Sequence, residues 1–137
     1  MRALAWFEVT VGVAIAGLWT GLLATGQVPE IAAAQRDIWF HLGAEFLTAG
    51  LLVAGGVALL RRAPHARRLA AVGLGALLYT TVNSAGYYAD DGAWAIVAMF
   101  LVLAAVTALL AVRLVRRPAA PTGVRTAAPQ PRAPARR

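Results

Sequence analysis

The amino-acid sequence predicts an all-α fold, a bundle of four transmembrane helices arranged up-down-up-down. Three observations support this prediction. The 137 residues are 60% hydrophobic and only 14% charged, an unusual balance for a soluble domain of this length. The apolar residues fall into four runs of roughly 20 residues, each long enough to cross a hydrocarbon core of about 30 Å as a helix. None of the runs alternates as a barrel strand would.

The four runs define one transmembrane domain, residues 1–117. The predicted helices cover about 4–25, 38–60, 68–88 and 93–115. Because the connecting segments are short, consecutive helices should be antiparallel neighbours. The first run has the basic start and apolar stretch of a signal peptide, but Glu8 interrupts it and no clear cleavage site follows, so a retained first helix is favoured.

The basic residues indicate how the bundle is oriented. One side carries nearly all of them, namely Arg2, Arg61, Arg62, Arg67, Arg68, Arg113, Arg116 and Arg117, whereas Arg36 lies on the other. By the positive-inside rule the basic side is cytoplasmic, which places both termini there. The net charge of +7 then matches anionic headgroups, and no nucleic-acid partner is expected because no aromatic residues alternate with the arginines. We expect an integral, multi-pass protein of a bacterial plasma membrane.

Residues 118–137 differ in composition from the rest of the chain. This stretch consists largely of proline, alanine and arginine, so it has little to bury and is predicted to be disordered.

Cysteine is absent from the chain, which excludes disulfides and thiolate sites. No phosphate loop, dinucleotide fingerprint, zinc-protease motif or nucleophile elbow occurs, so we predict no cofactor and no metal.

The stretch IWFHLGAEFL, residues 38–47, places two ionisable groups inside an apolar helix. His41 and Glu45 are one turn apart, and Thr48 continues the same stripe. An ionised carboxylate at membrane depth costs several kcal/mol unless it is paired or hydrated. We therefore predict that His41 and Glu45 form a proton-handling or cation-binding pair. The alternative is that Glu45 joins helices by hydrogen bonds and that His41 is simply hydrated at the interface.

Two further sets of residues are expected near this pair. Tyr79, Asn83 and Tyr87 form a stripe on the third helix, and Trp19 of the first helix reaches the level of Glu45. If this stripe and Trp19 converge with the stripe that contains His41 and Glu45, the residues line a ligand-binding cavity in the outer half of the bundle.

Glu8 is predicted to lie about 9 Å on the cytoplasmic side of the membrane centre. In that position it is a candidate proton-relay group. The alternative is a carboxylate that snorkels to the headgroups or caps its own helix.

The segment WFHLGAEF resembles the HxxxE helix of the EXPERA family, membrane proteins that include sterol isomerases and the sigma-two receptor. The segment VGLGALLYTTVNSAGYY, residues 72–88, is similar to it in hydropathy and in the position of its tyrosine. The resemblance implies an intramembrane pocket for a sterol-like or amine-bearing ligand. His41 and Glu45 would then occupy the positions of the acid and the base, while Asn83 stands where an acidic partner would be expected.

Three functions follow as hypotheses, and the sequence leaves open whether the protein is an enzyme. The first is binding, or acid–base isomerisation, of a lipophilic or cationic small molecule, with aromatic walls from Trp19, Tyr79 and Tyr87. The second is a small proton-coupled transporter or channel that works as a homodimer and uses Glu8 and Glu45. The third is a non-catalytic accessory subunit of a membrane complex.

Overall fold

A computed structural model describes residues 1–28, 31, 33 and 36–116. Most of these residues lie in four helices: α1 (Arg2–Ala24), α2 (Asp37–Leu60), α3 (Ala66–Asp90) and α4 (Trp94–Arg116). Each is long and apolar enough to cross a membrane. The predicted all-α architecture of four such helices is confirmed, whereas the predicted disordered tail, residues 118–137, lies outside the described residues.

Helices α1 and α2 pack against each other with their backbones unusually close. A Cβ atom added to Gly56 would lie 2.6 Å from the carbonyl oxygen of Ala5, and one added to Gly12 would lie 2.8 Å from that of Ala49. The beginning of α1 therefore meets the end of α2, which makes the pair antiparallel. Glycine permits this approach because it has no side chain to separate the helices.

The remaining neighbours are antiparallel as well. Gly55 of α2 faces Ala70 near the beginning of α3, and Gly73 faces the backbone of Leu51. Near the beginning of α3, the Arg67 guanidinium donates a 2.7 Å hydrogen bond to the carbonyl oxygen of Leu114, near the end of α4. All four helices thus alternate in direction, and we call the end where α1 and α3 begin the arginine-rich end.

The bundle has a buried centre and two exposed flanks. Each helix packs chiefly on its neighbour in the chain, and α1 also touches α3. As a result α2 and α3 are the most buried helices, while α1 and α4 are largely exposed. Apolar flanks of this kind are stable when lipid covers them.

The core is divided between the two ends of the bundle. At the arginine-rich end, buried residues from all four helices form one cluster: Leu4, Ala5, Ala58, Leu59, Ala66, Ala70, Leu74 and Leu114. At the opposite end, Val28, Ile38 and Leu42 form a second cluster, with Trp19 packed against it. Helix α1 is therefore fixed to α2 at both ends.

Candidate functional site

Trp19, His41 and Glu45 come together between α1 and α2. The rings of Trp19 and His41 meet edge to face, with centroids 5.3 Å apart and an interplanar angle of 76°. The Glu45 carboxyl group lies within interaction range of the Trp19 side chain and of His41. The structure thus groups three of the predicted site residues, while their chemical roles stay predictions.

The antiparallel packing explains this grouping. Trp19 lies near the end of α1, and His41 and Glu45 lie in the first turns of α2. Their spacing of four residues turns both side chains toward α1. Glu45 is only 7% exposed, and Thr48, which continues the stripe, is 3% exposed. The stripe on α2 therefore leads from a half-buried imidazole into the interior.

The stripe on α3 does not join this group, so the expected convergence of this stripe with Trp19 and the α2 stripe is wrong. Tyr79 is 69% exposed and Tyr87 is 56% exposed, and Asn83 is also exposed. Tyr79 and Asn83 line an open groove on the outer face of α3. The opposite face, which carries Thr81 and Gly73, is the one that is buried. Small side chains allow α3 to approach α2, whereas tyrosine rings there would hold the helices apart.

Glu8 is the most deeply buried ionisable residue in the described part of the chain. Its side chain is 0% exposed, and neither carboxyl oxygen has a hydrogen-bond partner among the described residues. A Cβ atom added to Gly55 would lie 3.0 Å from Glu8 Oε2 and 2.9 Å from the Cα atom of Ala70. The carboxyl group therefore lies where α1, α2 and α3 meet, beside the backbone of Gly55. Its burial contradicts the alternative in which Glu8 snorkels to the headgroups.

The buried threonines show how unusual the Glu8 carboxyl group is. The Thr81 hydroxyl donates to the Leu77 carbonyl oxygen at 2.8 Å, and the Thr107 hydroxyl donates to that of Leu103 at 2.7 Å. Each hydroxyl is thus satisfied within its own helix. The carboxyl group of Glu8 makes no comparable bond to any described residue, and a charged carboxylate without a partner costs several kcal/mol at membrane depth.

The two buried carboxyl groups lie at different levels along the contact of α1 with α2. Gly55, which adjoins Glu8, follows Glu45 by ten residues, or about 15 Å along a helix. Thr48 and Leu52 lie between them and are 3% and 0% exposed. We call this stretch, from Glu45 to Glu8 along the contact of α1 with α2, the carboxyl seam. The contact of Glu8 with Gly55 could not be predicted from a local pattern, because it joins residues 47 positions apart.

The carboxyl seam is closed to solvent at Leu52 and Glu8, whose side chains are 0% exposed. Two cavities lie elsewhere in the described part of the chain, one of about 520 Å³ at the arginine-rich end and the other the groove on α3. Neither is lined by His41, Glu45 or Glu8. Within the described ranges, no group of three or more histidine, aspartate or glutamate side chains is placed to hold a metal ion.

Comparison with known proteins identifies a family for the chain. A family described as a domain of unknown function (DUF8058) matches residues 1–121, a range that includes all four helices. No curated protein and no solved structure matches the chain, and the resemblance to the EXPERA family stays a prediction. Since the match covers most of the sequence, the chain belongs to the DUF8058 family.

Proposed function

We propose that this protein is a small proton-coupled transporter or channel that uses Glu45 and Glu8 as its two proton-binding groups. The observation that carries the proposal is the Glu8 carboxyl group, which is fully buried and has no hydrogen-bond partner among the described residues. A buried ionisable group without a partner reduces stability, so its presence in a membrane helix points to function. Glu45 lies on the same seam, which supports pairing the two groups.

The proposal includes an orientation in the membrane. We infer that the arginine-rich end faces the cytoplasm, following the positive-inside rule, and that the membrane is the bacterial plasma membrane. Glu8 then lies on the inner side of the membrane and Glu45 on the outer side. His41 is half-buried and lies one helical turn nearer the outer surface than Glu45.

Proton transfer between Glu45 and Glu8 requires the carboxyl seam to open. About 15 Å of helix separates the two groups, and direct transfer needs hydrogen-bonded contact or a chain of water molecules. The fully buried Leu52 side chain lies on this path. We propose that α1 and α2 separate locally to admit water, and that a homodimer encloses the pathway because four helices of this size are too few to do so.

A liposome assay tests the proposal. The purified protein is reconstituted with a pH-sensitive dye inside the vesicles, and the internal pH is followed after an external acid pulse. We expect Glu8→Gln and Glu45→Gln each to lower the proton flux at least about tenfold, because each removes a group that binds and releases the proton. Asp90→Asn is the matched control, since this exposed carboxylate lies outside the seam. Undiminished flux in Glu8→Gln would contradict the proposal.

The contact of Trp19, His41 and Glu45 favours a second candidate function. An aromatic ring beside a carboxyl group and an imidazole offers the groups that would bind a lipophilic or cationic small molecule, and an acid–base isomerase would need two such ionisable groups. In this case ligand-dependent stabilisation would disappear in Glu45→Gln and persist in Glu8→Gln. The two variants therefore distinguish the two functions, because a proton pathway needs both carboxyl groups.

A further inference from the structure

A cavity at the arginine-rich end has no part in the proposed proton pathway. It has a volume of about 520 Å³ and lies between the beginning of α1, the end of α2 and the beginning of α3. Three arginines line it, one from each of these regions: Arg2, Arg62 and Arg67. We propose that this cavity binds the phosphate headgroup of an anionic phospholipid.

The charge of the cavity wall fits a phosphate group. Guanidinium groups bind phosphate oxygens through paired hydrogen bonds, and none of the described residues that line the cavity is acidic. The first turns of α1 and α3 also contain no acidic residue, so nothing in them opposes an anion. The hydrogen bond from Arg67 to the Leu114 carbonyl oxygen, 2.7 Å long, holds one of the three guanidinium groups in position.

The remaining wall of the cavity fits a lipid better than a free ion. Leu59, Leu60 and Ala66 contribute apolar surface beside the arginines, and Leu60 is 37% exposed. The cavity lies at the ends of helices long enough to span a membrane, which is where phospholipid headgroups meet acyl chains. Basic pockets in this position are typical sites for anionic headgroups.

Arg62 occupies a backbone conformation that disfavours it. Its φ angle is 55°, and it is the only residue other than glycine with positive φ in the described ranges. The N–H of Arg62 donates to the Leu59 carbonyl oxygen at 3.2 Å, and that of Ala63 donates to the Ala58 carbonyl oxygen at 3.0 Å. These two bonds form a Schellman motif, in which the residue after the C-cap adopts the left-handed conformation and is usually glycine.

The other helices show what this position normally contains. Helices α1 and α3 end with the same pair of hydrogen bonds, and there the left-handed residues are Gly26 and Gly92, with φ of 67° and 70°. A side chain at such a position crowds the adjacent carbonyl oxygen. The end of α2 nevertheless has arginine, and its side chain lines the cavity. This exception favours a binding role for the Arg62 guanidinium.

The N-terminal ends of α1 and α3 add an electrostatic field that favours a bound anion. Helices α1 and α3 begin at the cavity, and no side chain in the described part of the chain caps the first turn of either helix by a hydrogen bond. The partial positive charge at the start of a helix attracts an anion. This contribution supports the three arginines and does not replace them.

Thermal unfolding with added lipid tests the inference. The full-length protein in a non-ionic detergent is titrated with phosphatidylglycerol or with phosphatidylcholine, and Tm is recorded at each concentration. We expect phosphatidylglycerol alone to raise Tm, and Arg62→Gln to weaken its apparent affinity at least about tenfold. Arg61→Gln is the matched control, because it removes the neighbouring arginine, which does not line the cavity. Equal losses in the two variants would overturn the inference, since they would indicate a diffuse charge effect.

Two further measurements separate binding from folding and lipid from free phosphate. Arg62→Gly removes the guanidinium while supplying the residue that the left-handed position prefers, so we expect it to fold and to lose the response to phosphatidylglycerol. An undiminished response in this variant would refute the role of Arg62. Inorganic phosphate is tested at the same concentration as the headgroup. If it stabilises the wild type as strongly as phosphatidylglycerol does, the assignment to a lipid fails.

Discussion

Glu8 and Glu45 are both buried carboxyl groups, yet their surroundings differ. Glu45 has the polar groups of Trp19 and His41 within interaction range of its carboxyl group. The Glu8 oxygens have no hydrogen-bond partner among the described residues and lie beside backbone atoms of α2 and α3. Replacing the two residues should therefore affect stability differently.

We expect Glu8→Met to raise the free energy of unfolding by about 1–3 kcal/mol, because it removes a buried polar group without a partner and substitutes an unbranched apolar side chain of similar length. The measurement is unfolding in mixed micelles with increasing dodecyl sulfate, followed by tryptophan fluorescence. Glu45→Met serves as the comparison and should stabilise less, since it also removes the interactions of the carboxyl group with Trp19 and His41. A Glu8→Met variant that is less stable than the wild type would show that the carboxyl group has an important partner, such as a bound water or cation.

Only part of the candidate site could be predicted from the sequence. The spacing of His41 and Glu45 fixed their common face, and the depth of Trp19 along α1 placed it at the same level. For Tyr79 and Asn83, spacing showed that they share a face but not whether that face is buried, because a tyrosine ring is stable against lipid as well as in a core. The burial of Glu8 depends on Gly55, a contact between helices that no local pattern reveals.

Among the helices, the contact of α1 with α2 determines the geometry of the carboxyl seam. The closest approach is at Gly56, whose added Cβ atom would meet the Ala5 carbonyl oxygen at 2.6 Å and the Val9 backbone nitrogen at 3.1 Å. Backbone atoms cannot rotate away as a flexible side chain can. A methyl group at this position would have to separate the two helices, and the seam would widen.

We expect Gly56→Ala to lower the free energy of unfolding by about 1–3 kcal/mol, the usual cost of overpacking. Gly50→Ala, in the same helix, is the matched control because an added Cβ atom there meets nothing within 4 Å. It should be neutral or stabilise by up to about 1 kcal/mol, since alanine favours helix more than glycine does. Both are measured by the same micellar unfolding assay. Equal effects of the two substitutions would disprove the close contact.

The positions of the helices themselves were predictable from the sequence. The four helices lie where the four apolar runs lie, because a helix that crosses a membrane must be apolar over the thickness of the hydrocarbon core. The alternation of direction followed from the short connections. Which helices are central and which are exposed did not follow, because a polar stripe does not show by itself whether its face is buried: Glu45 on α2 is buried, whereas Asn83 on α3 is exposed.

The two ends of the molecule differ in charge and in the sites that they carry. Arginines and the cavity of about 520 Å³ lie at one end, and the contact of Trp19 with His41 lies near the other. If the positive-inside rule governs insertion, the phosphate site and Glu8 are on the cytoplasmic side, and His41 and Glu45 are on the outer side. The proposed function and the inferred lipid site therefore depend on the same orientation.

Cysteine labelling in cells tests this orientation, and the absence of cysteine from the chain makes each introduced thiol unique. Arg61→Cys and Asp91→Cys place single thiols at opposite ends of the bundle, both at exposed positions. We expect a membrane-impermeant maleimide to modify Asp91→Cys in intact cells and to modify Arg61→Cys only after permeabilisation. The reverse pattern would invert the proposed direction of the pathway.

The left-handed backbone conformation of Arg62, after the end of α2, has a consequence for directed evolution. Natural proteins often keep residues that reduce stability because those residues serve function, and Arg62, with its φ of 55°, fits this description. A screen that selects variants only for resistance to heat in lipid-free detergent should therefore favour glycine at position 62. Such a screen would discard the guanidinium without detecting the loss, so libraries intended for functional work should keep this codon fixed.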